Sequence, residues 1–253
     1  MGTATTVSVG HRDPTLLGQT VVIIGGSAGI GLATARHART EGADVILTGR
    51  DPERLRSAAA DVEALSSVAF DANDPAKLAR FFEELPKKRV DHVLVTAGRP
   101  SYGPLLDMDA DQARRAMTDH MVLPLEVARH AVDTVRPGGT LLFMGGTGGR
   151  RVQRDLGILP TITIAMPVLT ASLALELAPV RVNLIAAGFV DTPLSAQLLG
   201  DGLDARREEL RSTLPIGRVV GADDVAALAV HIMANSALTG ATYDIDGGQQ
   251  LVG

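Results

Sequence analysis

Residues 21–31 read Val-Val-Ile-Ile-Gly-Gly-Ser-Ala-Gly-Ile-Gly, an apolar run that breaks into glycines and resumes with helical character. Gly25, Gly29 and Gly31 give a G-x3-G-x-G spacing. A buried strand, a glycine turn and a helix in that order expose backbone N–H groups and the positive end of a helix dipole at one point, which is how a pyrophosphate is held. Gly25 permits the sharp turn, while Gly29 and Gly31 let the phosphates and the sheet approach closely. Ser27 and Ile30 belong to the same turn. This element predicts a dinucleotide at the first βα connection of an α/β protein.

The rest of the chain agrees with that architecture. Apolar runs of strand length occur at Thr20–Ile24, Asp44–Thr48, Ser67–Phe70, His92–Thr96, Thr140–Gly145, Arg181–Ala186 and Thr242–Ile245. They alternate with helical stretches near Ile30–Glu41, Pro52–Leu65, Pro75–Leu85, Asp109–Val135, Ile162–Ala178 and Asp223–Asn235. Alternation of this kind predicts a doubly wound parallel sheet of about seven strands with helices on both faces. The strand interiors are mostly apolar, as burial on both faces requires; Thr242–Ile245, with Tyr243 and Asp244, fits a place nearer an edge. Asp51-Pro52 and Asp74-Pro75 each pair a capping aspartate with a proline at the first helical position. The 253 residues suit a single Rossmann-type domain, 1–253, with a flexible lead-in over 1–15. Within it, Asp191–Arg218 is expected to form helices over a substrate cleft.

Composition excludes several alternatives. A net charge of −5 gives no reason to expect a nucleic acid or an anionic membrane as partner. Zero cysteines rule out disulfides and thiolate metal sites and fit a cytoplasmic protein. No other metal-ligating cluster is evident. No apolar run is expected to reach the roughly 20 residues that cross a bilayer. Met1-Gly2-Thr3-Ala4-Thr5-Thr6 matches a loose myristoylation pattern, but reads more simply as a polar lead-in.

The end of the second strand, Thr48-Gly49-Arg50-Asp51, bears on cofactor choice. A guanidinium at Arg50 can pair with a 2′-phosphate, where a strand-end aspartate would repel it. Asp51 reads as a helix cap. NADP(H) is therefore expected over NAD(H), which stays possible.

The glycine spacing, Ala97-Gly98, Ala187-Gly188-Phe189-Val190-Asp191-Thr192-Pro193 and Asp246-Gly247-Gly248, in that order, resemble the short-chain dehydrogenase/reductase family over nearly the whole chain. The resemblance implies that Asp71, in Phe70-Asp71-Ala72, contacts adenine. It also implies that Ala97 and Gly98 pass close to the cofactor, and that Gly188 and Thr192 face the nicotinamide or pyrophosphate. Members commonly form dimers or tetramers through two long helices, here Asp109–Val135 and Ile162–Ala178. The latter is apolar almost all round, so one face needs a neighbour.

The family's catalytic Tyr-x3-Lys is absent. The two tyrosines, Tyr102 and Tyr243, are followed four residues on by Leu106 and Gly247. Counting back from Ser172–Ala178 and Arg181-Val182-Asn183 puts Leu159 at the tyrosine position, Thr163 at the lysine and Gly146 at the serine. His120 falls at the asparagine that completes the proton relay. Leucine cannot exchange a proton, and Thr163 carries no charge to lower a phenol's pKa. Pro160 and Pro167 also make the active-site helix start or bend unusually. His120, Thr147 and Tyr102 are the polar groups left to assist. Arg150 and Arg151, beside the glycine-rich turn at 145–149, are candidates for gripping an anionic substrate. Three readings remain: an oxidoreductase with relocated catalytic groups acting on a small carbonyl or alcohol, a non-catalytic dinucleotide-binding protein, and an isomerase or lyase on the same cleft.

Overall fold

The computed structural model describes residues 15–252. The lead-in up to Pro14, with its Gly2 pattern, lies outside the described residues.

The strands are β1 (Thr20–Ile24), β2 (Asp44–Gly49), β3 (Ser66–Ala69), β4 (Val90–Val95), β5 (Val135–Gly146), β6 (Arg181–Ala187), the short β7 (Val190–Asp191) and β8 (Val220–Gly221), and β9 (Thr242–Ile245). Seven of them form a parallel sheet in the order β3-β2-β1-β4-β5-β6-β9, while β7 pairs only with β8. The edges carry the two least buried strands, β3 and the Tyr243-bearing β9. Alternation along β1 divides the core. Val22 and Ile24 pack with Leu141, Phe143, Ile162 and Met166 on one face, and Val21 and Ile23 with Leu94, Leu142, Ile185 and Ile232 on the other. Burying each such side chain contributes about 1.5–3 kcal/mol.

The helices are α1 (Gly29–Thr40), α2 (Pro52–Asp61), α3 (Pro75–Glu84), α4 (Ala110–Met117), α5 (Leu123–Thr134), α6 (Leu159–Glu176), α7 (Pro193–Leu199), α8 (Leu203–Thr213) and α9 (Ala222–Ala234). The aspartate–proline starts act as expected. Asp51 Oδ1 accepts the Glu53 and Arg54 N–H groups at 3.0 Å each, and Asp74 Oδ1 those of Ala76 and Lys77 at 3.1 Å each.

Three expectations need correction. The stretch Asp109–Val135 is not one regular helix: a π-turn over Thr118–Val122 separates α4 from α5, and the Leu123 N–H bonds the Thr118 carbonyl five residues back. Pro124 is the physical cause, because it has no N–H for the His120 carbonyl and its ring crowds that oxygen in a regular α-helix. The active-site helix begins at Leu159 rather than Ile162, since Pro160 sits in its first turn, where proline is favoured. Finally, α6 is long and apolar enough to cross a bilayer, with a mean hydropathy of 1.4 over 18 residues. It lies instead against β5 and β6, burying Leu159, Ile162, Met166, Thr170 and Leu173.

Arg181, at the start of β6, ties the sheet to α9. Its buried guanidinium donates to the carbonyls of Gly138, Ile232, Met233, Asn235 and Leu238, collecting the open carbonyls at the carboxyl end of that helix. Desolvation pushes its pKa down, with Arg136 acting in the same direction.

Candidate active site

Strand order reverses between β1 and β4, and ligands of such sheets bind beyond the carboxyl ends of the strands at that point. The glycine turn lies there, and its packing leaves no room for side chains. At Gly25 the backbone has φ +102°, and a Cβ would come within 2.7 Å of the Ala97 nitrogen. A Cβ on Gly31 would meet the Gly25 carbonyl oxygen at 2.3 Å. Gly29 opens α1 opposite Thr192, whose Cβ is 3.6 Å from where a Gly29 Cβ would stand. No side chain caps α1, and its first turn holds no acidic residue. Open N–H groups on a dipole's positive end fit an anion such as a pyrophosphate.

Around this turn stand the other residues singled out in the sequence. Ser27 is buried and accepts a 3.4 Å hydrogen bond from Arg54 Nε. Arg50 is exposed at the end of β2. Asp71 accepts the Asn73 N–H at 3.1 Å, beside the buried Ala72. Thr192 caps α7, exchanging hydrogen bonds with Ser195: its N–H donates to Ser195 Oγ at 2.8 Å. Arg54 was not singled out in the sequence, although its spacing of three from the cap Asp51 carries it toward Ser27.

A cavity of about 710 Å³ opens beside the turn. It brings Ile30, Ala97, Gly98, Gly188 and Thr192 together with His120, Thr147, Tyr102 and Arg151. The short helices α7 and α8, formed by the segment Asp191–Arg218, supply Leu194, Leu198, Leu199 and Leu210. A bidentate pairing of Arg207 with Asp191, at 2.8 Å for each contact, fastens α8 to β7.

His120 sits in the π-turn. Its Nδ1 lies 3.0 Å from the Ala116 carbonyl oxygen. A carbonyl only accepts, so Nδ1 carries the hydrogen and donates it. That leaves Nε2 as the nitrogen able to take or give a proton. The neighbouring Asp119 carboxylate accepts from the Asn73 side chain and from the Arg99 N–H at 3.0 Å. It thereby joins the loops after β3 and β4 to the π-turn. Thr147 is 6% exposed, and its N–H donates to the Ala187 carbonyl at 3.0 Å, joining β5 to β6 at the cavity floor. Tyr102 lines the cavity and is more than half exposed as a residue. Desolvation of its hydroxyl raises the phenol pKa, and Arg206 opposes that.

Leu159 and Thr163 also line the cavity. Thr163 donates its hydroxyl hydrogen back to the Pro160 carbonyl at 3.0 Å. The two arginines after β5 part company. Arg151 is on the cavity wall, whereas Arg150 is drawn into a bidentate ion pair with Asp244 and does not line the cavity. The sequence offered no sign of that pairing across 94 residues.

A family model described as enoyl-(acyl carrier protein) reductase matches residues 25–250. The short-chain dehydrogenase/reductase ATR9 of Stachybotrys chlorohalonatus is 27% identical over 252 residues, covering 93% of this chain and 98% of the relative. A small-chain dehydrogenase solved in complex with NADPH is similar at 29% identity and a TM-score of 0.79, covering 92% of this chain and 99% of that one. The MalC reductase/Diels-Alderase from Malbranchea aurantiaca shares the fold, with a TM-score of 0.84 at 23% identity over 94% of this chain and 99% of that one. The glycine turn, the strand order and a match spanning almost the full length converge on one conclusion: the chain belongs to the short-chain dehydrogenase/reductase family.

Proposed function

We propose that this protein is an NADP(H)-dependent oxidoreductase that reduces a carbonyl, or oxidises the corresponding alcohol, without the family's tyrosine–lysine pair. The glycine turn, the uncapped start of α1 and Thr192 would hold the pyrophosphate. Arg50 and Arg54 would take the 2′-phosphate, which favours NADP(H) over NAD(H); the NADPH held by a relative of 29% identity supports the same choice. Asp71 and Ala72 would border the adenine, and Ala97, Gly98 and Gly188 the rest of the cofactor. When bound, NADPH supplies the hydride.

The observation that carries the reading is the fixed tautomer of His120. With Nδ1 committed to Ala116, a protonated His120 has one hydrogen to give, at Nε2, and the residue lines the cavity. That hydrogen would go to the substrate oxygen as hydride reaches its carbon. Thr147 would position that oxygen through its hydroxyl, with Tyr102 closing the rim. Leu159 and Thr163 would exclude water and contribute no proton. A bound nicotinamide and an oriented carbonyl account for much of the rate, and acid catalysis adds about 10²–10⁴-fold.

Titration with NADPH followed by turnover on a panel of aldehydes and ketones tests the assignment. Binding with no turnover on any of them would favour the non-catalytic reading, which the leucine at the tyrosine position supports. We also infer a homodimer or homotetramer, because Ile164 and Val168 on α6 are 55% and 68% exposed among the described residues.

A further inference from the structure

Two of the four charged side chains that line the cavity pair with each other, and the other two, Asp119 and Arg151, have no ion-pair partner among the described residues. Arg206 is paired with Glu209 at 2.7 Å and lies over the Phe189 ring at 5.9 Å. Asp119 accepts hydrogen bonds from two neutral donors, the Asn73 side chain and the Arg99 N–H, which hold its carboxylate on the π-turn. Arg150, next in the chain, is neutralised outside the cavity by Asp244. Arg151 is different: among the described residues its guanidinium donates only to the Val252 carbonyl, leaving a full positive charge and most of its five hydrogens unspent.

Its surroundings also donate. Gln249, on the same cavity, turns its Oε1 to the Phe189 N–H at 2.8 Å, which leaves its NH₂ group free to donate. Apolar side chains supply much of the remaining lining, among them Leu156, Leu159, Met166, Leu194, Leu198 and Leu214. A cavity wall with a guanidinium that no described carboxylate pairs, and hydrocarbon beside it, matches a ligand of corresponding design.

We propose that the substrate is a carboxylate with an apolar body, its head held by Arg151 and the Gln249 amide and its body against the leucines of α6, α7 and the end of α8. This rests on the oxidoreductase reading and narrows its substrate class. A single guanidinium fork suits a monoanionic carboxylate bidentately, and the exchange asks Arg151 only to release one backbone carbonyl.

Calorimetric titration of the NADPH-loaded protein with decanoate and with decanol tests it. The two probes share an apolar chain and differ at the head. Decanoate should bind about tenfold more tightly or better, the effect of one charge-assisted bidentate contact at a partly open site. Arg151→Gln should bring decanoate down to the level of decanol, with decanol and NADPH affinities unchanged. Arg151→Lys should retain part of the preference, and Arg154→Gln, outside this cavity, all of it. Equal affinities in the wild type would overturn the proposal. So would a loss in Arg151→Gln shared by both probes, or the failure of decanoate to bind. If NADPH itself does not bind, the cofactor reading falls, and the same comparison on the free protein still decides this one.

Discussion

Gly146 and Thr163 face each other at the cavity: a Cβ on Gly146 would stand 3.3 Å from Thr163 Cγ2. We propose, from the register read in the sequence, that these are the family's serine and lysine positions, with Leu159, one helical turn before Thr163, at the tyrosine position. On that proposal the contact between β5 and α6 carries a hydrogen at Gly146, a hydroxyethyl group at Thr163 and an isobutyl group at Leu159.

Restoring the set should therefore restore the usual chemistry. The triple variant Gly146→Ser, Leu159→Tyr, Thr163→Lys should reduce simple ketones faster than the wild type, by up to the 10²–10⁴-fold that a positioned acid supplies, about. Steady-state rates at saturating NADPH check this. A triple variant that folds, binds NADPH and gains nothing would mean that the register is wrong.

Cofactor choice should follow the two arginines beyond β2. Arg54 already reaches Ser27 in the glycine turn, and Arg50 is exposed beside it. Replacing both with glutamine should weaken NADPH by about 10- to 100-fold, the value of lost charge-assisted hydrogen bonds, and leave NADH nearly unchanged. Fluorescence titration with both nucleotides measures it. Equal wild-type affinities for NADPH and NADH would remove the preference.

Acid should unfold the protein through His92. Burial lowers its pKa from 6.5 to about 3, with Asp91 opposing the shift and Arg181 and Arg136 reinforcing it. Nε2 lies 2.6 Å from Gln19 Oε1, and the buried Nδ1 has no partner among the described residues. The folded-state pKa is depressed, so the unfolded chain binds the proton first. The contribution is intact above pH 6.5 and is lost as pH falls from there toward about 3. Each pH unit inside that window costs up to about 1.4 kcal/mol. Urea melts at several pH values should show this slope, and His92→Gln should flatten it. A variant with the wild-type slope would assign the acid sensitivity elsewhere.

The exposed apolar face of α6 should bury itself against a second copy. Sedimentation should give a dimer or tetramer at micromolar concentration. Val168→Glu, at a position 68% exposed in the single chain, should shift the protein toward monomer without unfolding it. A wild-type monomer would contradict the assembly.

Much of this was legible in the sequence because local rules decide it. The glycine turn is set by spacing and by an apolar strand before it, and the α2 and α3 starts by Asp-Pro pairs. The π-turn was signalled by Pro124, but a pattern of apolar residues does not register a single widened turn. Pro160 marks the start of α6, as a proline in a first helical turn does. What was not legible depends on long-range contacts. Arg150 is claimed by Asp244, Arg181 by carbonyls more than 50 residues away, and Asp119 by Asn73 across 46 residues. Those partners meet only once the sheet has formed, and they separate Arg151 from Arg150.

The most direct measurement is deuteride transfer from 4-deuterated NADPH into a carbonyl panel, followed by mass spectrometry in the wild type and in His120→Ala. The account predicts labelled alcohol from the wild type. In His120→Ala it predicts a rate lower by about 10²–10⁴-fold, with NADPH binding unchanged. Labelled product formed equally fast by the variant, or NADPH binding with no label transferred to any carbonyl, would contradict it.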